Sequence, residues 1–233
     1  MIAQIFQVLF YQPFFNALVF IYNIIPGHDL GIAVIALTLL VRVLTFPLNS
    51  QAIKAQRAMA RIQPKLKEIQ VKYKDNSQEQ MKATSALFKE EKITPFSGFV
   101  PILIQLPILI ALYQIFWKGL WTMDGYFYSF VSKPEVLNPF FLGIVDLSKP
   151  SALFAILAGL GQLWQSLTAT SAQSGAQGGK VANMMTKQMT FLFPVLTVFI
   201  LLKLPAALGL YWLATSLLTI AQQYFSSKPR TAL

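Results

Sequence analysis

The sequence predicts an all-α, polytopic membrane protein with five transmembrane helices, a cytoplasmic helical hairpin and an N-terminal interfacial helix. Three observations support this prediction. Of the 233 residues, 55% are hydrophobic and only 12% are charged, whereas about 25% of the residues of soluble domains carry a charge. The apolar residues occur in runs long enough to cross or nearly cross a bilayer. The excess of 19 Lys and Arg over 9 Asp and Glu is concentrated in every second connection between those runs.

The same composition excludes several kinds of chemistry. The chain has no cysteine and a single histidine, His28, so it offers neither thiolate ligands nor a histidine cluster for a metal. The apolar runs contain no Asp or Glu, and acid–base hydrolysis or an activated serine requires such groups or a nearby histidine. We therefore expect no enzyme activity, no cofactor and no metal site. The first 41 residues contain no Lys or Arg, so no cleaved leader is expected.

Residues 1–25 are uncharged and apolar, and polar residues interrupt them at nearly helical spacing. This pattern favours an amphipathic helix that lies along the membrane interface, with aromatic side chains at headgroup depth. Because the segment is also long enough to cross a bilayer, a transmembrane position remains the alternative. The sequence Pro26-Gly27-His28 then breaks the chain, and Asp29 is expected to cap the next helix.

Five apolar runs predict the transmembrane helices, and they cover residues 30–48, 96–117, 151–170, 189–202 and 206–225. The first helix lies within residues 26–49, and the other four, with short loops and a tail, lie within residues 95–233. The fourth run is only about 21 Å long at ~1.5 Å per residue, which is short of a hydrocarbon core of about 30 Å. Either this helix extends upstream through residues 181–188, or the bilayer is thinner around it.

The distribution of Lys and Arg predicts the orientation in the membrane. Residues 50–92 contain ten of them against five acids, and loops retained in the cytoplasm carry such an excess. The loop 171–188 and the tail after residue 225 are also basic, whereas residues 118–150 balance three lysines against three acids. We therefore expect a multi-pass protein with its N-terminus outside and its C-terminus in the cytoplasm.

Residues 50–94 predict a basic helical hairpin. Apolar residues recur every three or four positions from Ile62 to Tyr73, which indicates one face of a helix. Ser77 and Gln80 resemble a capping box that begins a second helix. The simplest interpretation is a solvated spacer, and the functional one is a docking arm for anionic lipid headgroups or for a ribosome and its nascent chain. The candidate docking residues are Lys54, Arg57, Arg61, Lys65 and Lys67.

Arg42 is the one charge within the first predicted transmembrane helix. An arginine at such depth costs roughly 2.5–3.5 kcal/mol and normally pairs with a carboxylate. Because the five runs contain no Asp or Glu, only backbone carbonyls, uncharged side chains or water can solvate it. Thr38 lies one helical turn earlier, on the same face. The pattern predicts a hydrated cavity around Arg42.

Further uncharged polar residues in the other runs complete this cavity: Gln105, Gln162, Gln165, Ser166, Tyr211, Thr215, Ser216 and Gln222. Each of them alone is more typical of an interhelical hydrogen bond. Together with Arg42 they predict a groove that attracts negative charge and lacks the titratable or anionic groups of proton and metal-ion relays. A small anion or solute transporter that uses Arg42 as its binding site is the alternative function, although the two halves of the chain show no internal repeat.

Three stretches of the chain resemble the YidC/Oxa/Alb family of membrane-protein insertases. They read TLLVRVLTFPLNSQAIKAQRAMARIQPKLKEIQ from Thr38, LFKEEKITPFSGFVPILIQLPILIALY from Leu87 and LGLYWLATSLLTIAQQYF from Leu208. The resemblance implies a five-helix core with a hydrophilic groove that is open to the cytoplasm and to lipid. It places groove residues at Arg42, Thr38, Gln165, Tyr211 and Trp212, where many relatives have tyrosine in place of Trp212.

The resemblance also implies a function and a location. The family moves nascent membrane proteins from the cytoplasm into the bilayer, and a bacterial member lies in the plasma (inner) membrane. The implied partners are nascent membrane proteins, the ribosome and signal-recognition machinery, a Sec translocon and anionic lipids, and no DNA is expected. In this interpretation Arg42 attracts acidic segments of the substrate, while the apolar helix of the substrate moves out to lipid.

Overall fold

The computed structural model describes residues 2–92, 100–122, 127–171 and 180–227, and these residues are mainly helical, as predicted. The helices are α1 (Ile2–Phe6), α2 (Gln12–Ile24), α3 (Leu30–Lys72), α4 (Ser77–Glu90), α5 (Val100–Gln114), α6 (Leu120–Thr122), α7 (Ala152–Ser171), α8 (Lys180–Leu201) and α9 (Ala206–Ser227). Two π-helical turns, Gln7–Tyr11 and Ile115–Gly119, join α1 to α2 and α5 to α6. Two short antiparallel strands, β1 (Phe140–Phe141) and β2 (Val145–Asp146), form a hairpin.

Helix α3 connects the apolar bundle to the basic hairpin. Asp29 caps its first turn, since Oδ1 accepts a hydrogen bond of 2.9 Å from the amide of Ile32, which confirms the expected cap. The helix then continues for 43 residues through Pro47 and Pro64, a length of about 65 Å at ~1.5 Å per residue. No break in the helix marks the predicted boundary near residue 50, so one rigid element links the two regions.

Helix α4 returns along the far end of α3. Its N-cap is Asn76, whose Oδ1 accepts from the amide of Glu79 at 3.1 Å. The expected capping box at Ser77 is therefore wrong by one residue, because Asn76 directly before the first turn caps the amide of Glu79, where Ser77 would have capped that of Gln80. The two helices contact each other, and each buries one apolar side chain nearby, Ile62 on α3 and Leu87 on α4.

The apolar core lies among α2, α3, α5, α7 and α9. Near one end of the bundle, the segment before α7 closes over the start of α9. The amide of Ala206 donates to the carbonyl of Lys149 at 2.9 Å, and the amide of Ala207 donates to the carbonyl of Leu147 at 3.1 Å. These bonds satisfy two of the free amides of the first turn of α9. Leu147 is fully buried there, so the segment before α7 packs closely on the start of α9.

Two helices among the described residues, Ala3–Ile24 and Leu30–Lys72, are long and apolar enough to cross a membrane by length and composition. Ala152–Thr168 and Thr190–Leu201 are shorter apolar helices. The start of the predicted second run, residues 96–99, lies outside the described residues, as do residues 172–179 of the loop 171–188 and the tail from residue 228. Residues 180–188 form the first part of α8, so the fourth helix extends upstream.

Helix α7 packs closely on α8 and α9 through small residues. A Cβ atom at Gly159 would overlap Cγ2 of Val198, whereas one at Gly161 would lie 3.2 Å from Leu213 and 3.4 Å from Ser216. Gly159 therefore permits an approach of α8 that any larger residue would prevent.

We predict that Gly159→Ala lowers the free energy of unfolding by about 1–3 kcal/mol, because overpacking outweighs the gain in helix propensity. Adding Val198→Ala removes the overlapping methyl group and should restore most of this loss. Thermal unfolding of the purified protein in detergent measures both effects, and Gly161→Ala is the matched control. Equal destabilisation by Gly159→Ala and Gly161→Ala would contradict this account of the helix contact.

Candidate functional site

Arg42 on α3 is held by the facing helix α9. Its Nη2 donates to the backbone carbonyl of Thr215 at 2.9 Å and to the hydroxyl of Thr219. The residue is half-buried. The ion pairs among the described residues are Lys65–Glu91, Lys82–Glu79 and Lys149–Asp146, so within that part of the chain Arg42 has no carboxylate partner. Both acceptors of Nη2 are uncharged groups of α9.

Tyr211 and Gln105 extend this cluster to α5. Nε2 of Gln105 donates to the Tyr211 hydroxyl at 2.8 Å, and Tyr211 is only 2% exposed. Tyr211, Thr215 and Thr219 recur every four residues and so share one face of α9. Two helices therefore present polar side chains to that single face, Arg42 from α3 and Gln105 from α5. We call Arg42, Gln105, Tyr211, Thr215 and Thr219 the arginine cluster.

Thr38 lies one helical turn before Arg42, but its hydroxyl bonds to the backbone of its own helix. Its hydroxyl donates to the carbonyl of Val34 at 2.6 Å, and the residue is 1% exposed. A threonine that bonds back to the carbonyl four residues earlier has used its only donor, and its oxygen can only accept. Thr38 therefore borders the arginine cluster as a buried residue rather than as an open binding group.

The predicted aromatic pair is divided between two environments. Tyr211 belongs to the arginine cluster, whereas Nε1 of Trp212 donates to Oε1 of Gln162 on α7 at 3.1 Å. Thr197 on α8 donates to the same oxygen at 2.6 Å. Adjacent residues of a helix point about 100° apart, so Trp212 faces the packing of α7 and α8. Gln162, Thr197 and Trp212 form a second group, the glutamine cluster.

Gln165, the glutamine that the resemblance places in the groove, is half-buried on α7. No hydrogen bond within the described part of the chain joins its side chain to the arginine cluster; its backbone carbonyl accepts from Thr168 at 2.9 Å. The residues that sequence reasoning missed are Thr219 and Thr197. Thr219 could have been found, because it continues the four-residue spacing of Tyr211 and Thr215.

Further polar contacts connect α3 to α9 between Arg42 and the basic hairpin. Nε2 of Gln222 donates to the hydroxyl of Ser50 at 3.1 Å, and Nη2 of Arg57 donates to the carbonyl of Gln223 at 2.9 Å. We call this row of contacts, from Arg42 to Arg57, the α3–α9 seam. It extends for about 22 Å at ~1.5 Å per residue. The opposite end of the bundle, around Leu147, is closed by apolar packing and backbone hydrogen bonds.

The five candidate docking residues of the hairpin are not equivalent. Lys54 and Arg61 are exposed, and Lys67 is half-buried. Arg57 contacts α9, as described above, and Lys65 forms an ion pair with Glu91. The hydrogen bond between these two groups raises the pKa of Lys65 and lowers the pKa of Glu91. Lys54 and Arg61 are therefore the docking candidates with the most accessible charge.

Residues 20–232 match the family described as 60Kd inner membrane protein. Similar curated proteins carry the name membrane protein insertase YidC, and three of them illustrate their identity to this chain. The Haemophilus ducreyi protein is 35% identical over 217 residues, which are 91% of this chain and 36% of the relative. The Syntrophus aciditrophicus protein is 32% identical over 93% of this chain and 36% of the relative, and the Pelobacter propionicus protein is 30% identical over 93% and 38%. The chain thus spans little more than a third of the length of these relatives.

The glutamine cluster predicts a difference between two glutamines of α7. Gln162→Leu leaves the indole N–H of Trp212 without its acceptor and should lower the free energy of unfolding by about 1–3 kcal/mol. Gln165→Leu, three residues away on the same helix, should have a smaller effect. Thermal unfolding of both variants in detergent measures the difference, and equal losses of stability would contradict the assignment of Gln162 as the residue that joins α7 to α8 and α9.

Proposed function

The chain belongs to the 60Kd inner membrane protein family, and from this membership and the arginine cluster we propose that it is a membrane-protein insertase. In this proposal it moves nascent membrane proteins from the cytoplasm into the bacterial plasma membrane. The relatives named membrane protein insertase support the assignment. Its action requires no covalent chemistry, cofactor or metal, because the substrate changes only its position in the membrane.

The proposed membrane arrangement follows the charges. Five transmembrane helices, with the N-terminus outside and the C-terminus in the cytoplasm, place the basic hairpin of α3 and α4 in the cytoplasm. The closed end of the bundle then faces outwards. Residues 1–25 lie along the outer interface, where the exposed apolar side chains of Ile5, Val8 and Leu9 contact lipid. Crossing of the membrane by this segment is the alternative, since its length allows it.

The observation that supports the proposed mechanism is that the hydrogen bonds of Arg42 go to uncharged groups of α9. Its acceptors are a carbonyl and a hydroxyl of α9, whereas a carboxylate adds an opposite charge and two oxygens that match the fork of the guanidinium. A carboxylate of a substrate can therefore replace the Thr219 hydroxyl as acceptor. Thr219 loses little in this exchange, because its own proton stays bonded to the carbonyl of Thr215 at 2.7 Å.

The α3–α9 seam gives the substrate a polar route to Arg42 from the hairpin side. Polar segments cross hydrocarbon only at a cost of several kcal/mol for each unsatisfied backbone group. Polar side chains along the route reduce the depth over which this cost applies. The apolar helix of the substrate leaves towards lipid along α7 and α9, where Leu160, Trp164 and Leu217 are exposed. Burial of that helix in lipid, together with the membrane potential, supplies the free energy.

The hairpin is the proposed docking arm for partners on the cytoplasmic side. Its exposed cations, Lys54 and Arg61, suit the phosphates of ribosomal RNA or of anionic lipids. A ribosome with its signal-recognition machinery delivers a nascent chain next to the open end of the α3–α9 seam. A Sec translocon is a further proposed partner, because larger translocated segments exceed what a short groove can hold.

We predict that Arg42→Ala slows insertion of a single-span substrate by about 10- to 100-fold when its translocated tail is acidic, since loss of one charge-assisted hydrogen bond is worth roughly 1.5–3 kcal/mol. Arg42→Lys keeps the charge without the two-pronged geometry and should retain much of the rate. Protease protection in vesicles that contain only the purified protein measures insertion.

The control for this experiment is Lys133→Gln, which removes an exposed cation outside the apolar helices. A series of tails with zero, one and two acids separates charge recognition from a folding defect, because misfolding slows all tails equally. A rate that does not depend on tail charge in the wild type, or the same loss for every tail in Arg42→Ala, would contradict the proposed role. Anion uptake that Arg42→Ala abolishes, without any insertion, would instead support the transporter alternative.

A further inference from the structure

A cavity of about 510 Å³ lies at the closed end of the bundle, away from the arginine cluster. Its walls come from the π-helical turn Ile115–Gly119 and α6, from the segment before α7 and from the turn between α8 and α9. The lining residues are Trp117, Trp121, Leu137, Pro139, Ser148, Pro150, Lys203 and Pro205. Every element that contributes to it does so at a helix end or in a connection, which is the level where transmembrane helices meet lipid headgroups.

The lining is apolar except at a few groups. The three prolines have no amide N–H to offer, and Nε1 of Trp121 already donates to the carbonyl of Phe116 at 2.7 Å. The Ser148 hydroxyl donates to Asp146. Two donors remain, the ammonium of Lys203 and the indole N–H of Trp117, and neither has a hydrogen-bond partner among the residues that the structure describes. A ligand that satisfies them must supply acceptor oxygens.

The charge around these donors indicates an anion. Among the residues that the structure describes, no acid lines the cavity, and the nearby Asp146 forms an ion pair with Lys149 at 2.9 Å. No ion pair within the described ranges joins Lys203 to a carboxylate. The cavity also continues onto an apolar surface, since Trp117 stacks on Tyr113 with 5.7 Å between ring centroids and both rings are exposed. The ligand therefore has an anionic head with acceptor oxygens and an apolar tail.

We propose that this cavity binds the headgroup of an anionic phospholipid in the outer leaflet. The phosphodiester accepts from Lys203 and Trp117, and an acyl chain follows the Trp117–Tyr113 ridge towards the membrane interior. The volume lies in the range of about 300–1,000 Å³ that is usual for small-ligand sites. A lipid bound there would stabilise the packing of the surrounding helix ends and connections at the closed end of the bundle. The site rests on the proposed membrane orientation but not on the role of Arg42.

Tryptophan fluorescence tests this proposal directly. The chain has four tryptophans, so Trp164→Phe with Trp212→Phe leaves Trp117 and Trp121 as the emitters. The protein is reconstituted in phosphatidylcholine vesicles that contain either brominated phosphatidylglycerol or brominated phosphatidylcholine at equal mole fraction. Brominated phosphatidylglycerol should quench more strongly. Lys203→Gln should reduce this preference about fivefold, since one basic side chain near a membrane surface is worth about 1 kcal/mol, and Lys133→Gln should not change it.

Native mass spectrometry of the otherwise unchanged chain gives a second measurement that avoids the tryptophan substitutions. Wild type should retain a phosphatidylglycerol adduct that Lys203→Gln loses and Lys133→Gln keeps. Equal quenching by the two lipids, or an unchanged adduct in Lys203→Gln, would overturn the site. Glycerol phosphate lacks acyl chains and should displace the lipid only when it is in large excess; displacement at an equal concentration would overturn the lipid assignment in favour of a soluble anion. Each result leaves the insertase proposal untouched, because no insertion is measured.

Discussion

An arginine among apolar helices must keep its N–H groups hydrogen-bonded, and this requirement joins α3 to α9. Arg42 meets it with the carbonyl of Thr215 and the hydroxyl of Thr219, acceptors that are weaker than a carboxylate. The remaining contacts of the α3–α9 seam continue the same arrangement towards the hairpin. Because neither acceptor of Nη2 carries a charge, the guanidinium is held without being neutralised, which is why we propose that it attracts an anion.

The two ends of the bundle differ in a way that suits directional movement. Between Arg42 and the hairpin, α3 and α9 meet through polar side chains, which in the proposed function exchange hydrogen-bond partners with a substrate or with water. At the other end, the amides of Ala206 and Ala207 are bonded to the segment before α7, and Leu147 is fully buried. Opening that end would break backbone hydrogen bonds and expose apolar surface together, whereas opening the polar side exchanges one hydrogen bond for another.

The cap of α3 and the residue types near Arg42 could be predicted from the sequence. Which face of each helix contacts which neighbouring helix could not. The cap at Asp29 follows from one residue before an apolar run, and the absence of Asp and Glu from the apolar runs that surround Arg42 is a fact of composition. In contrast, the separation of Tyr211 from Trp212, and the placement of Gln162 rather than Gln165 between helices, depend on how α9 and α7 are rotated about their axes. That rotation is set by packing between distant segments, for which periodicity in an almost wholly apolar helix gives little information. The continuity of α3 through Pro47 and Pro64 likewise depends on its neighbours.

The central claim is that a substrate carboxylate replaces the hydroxyl of Thr219 at Arg42. It can be tested by placing a photoreactive residue beside a single aspartate in the translocated tail of an arrested substrate, and by mapping the cross-linked peptides of the protein. The account predicts cross-links to the parts of α3 and α9 that flank Arg42, and their loss when the aspartate is replaced by asparagine. Identical cross-links for the aspartate and asparagine tails, or none on α3 and α9, would contradict it.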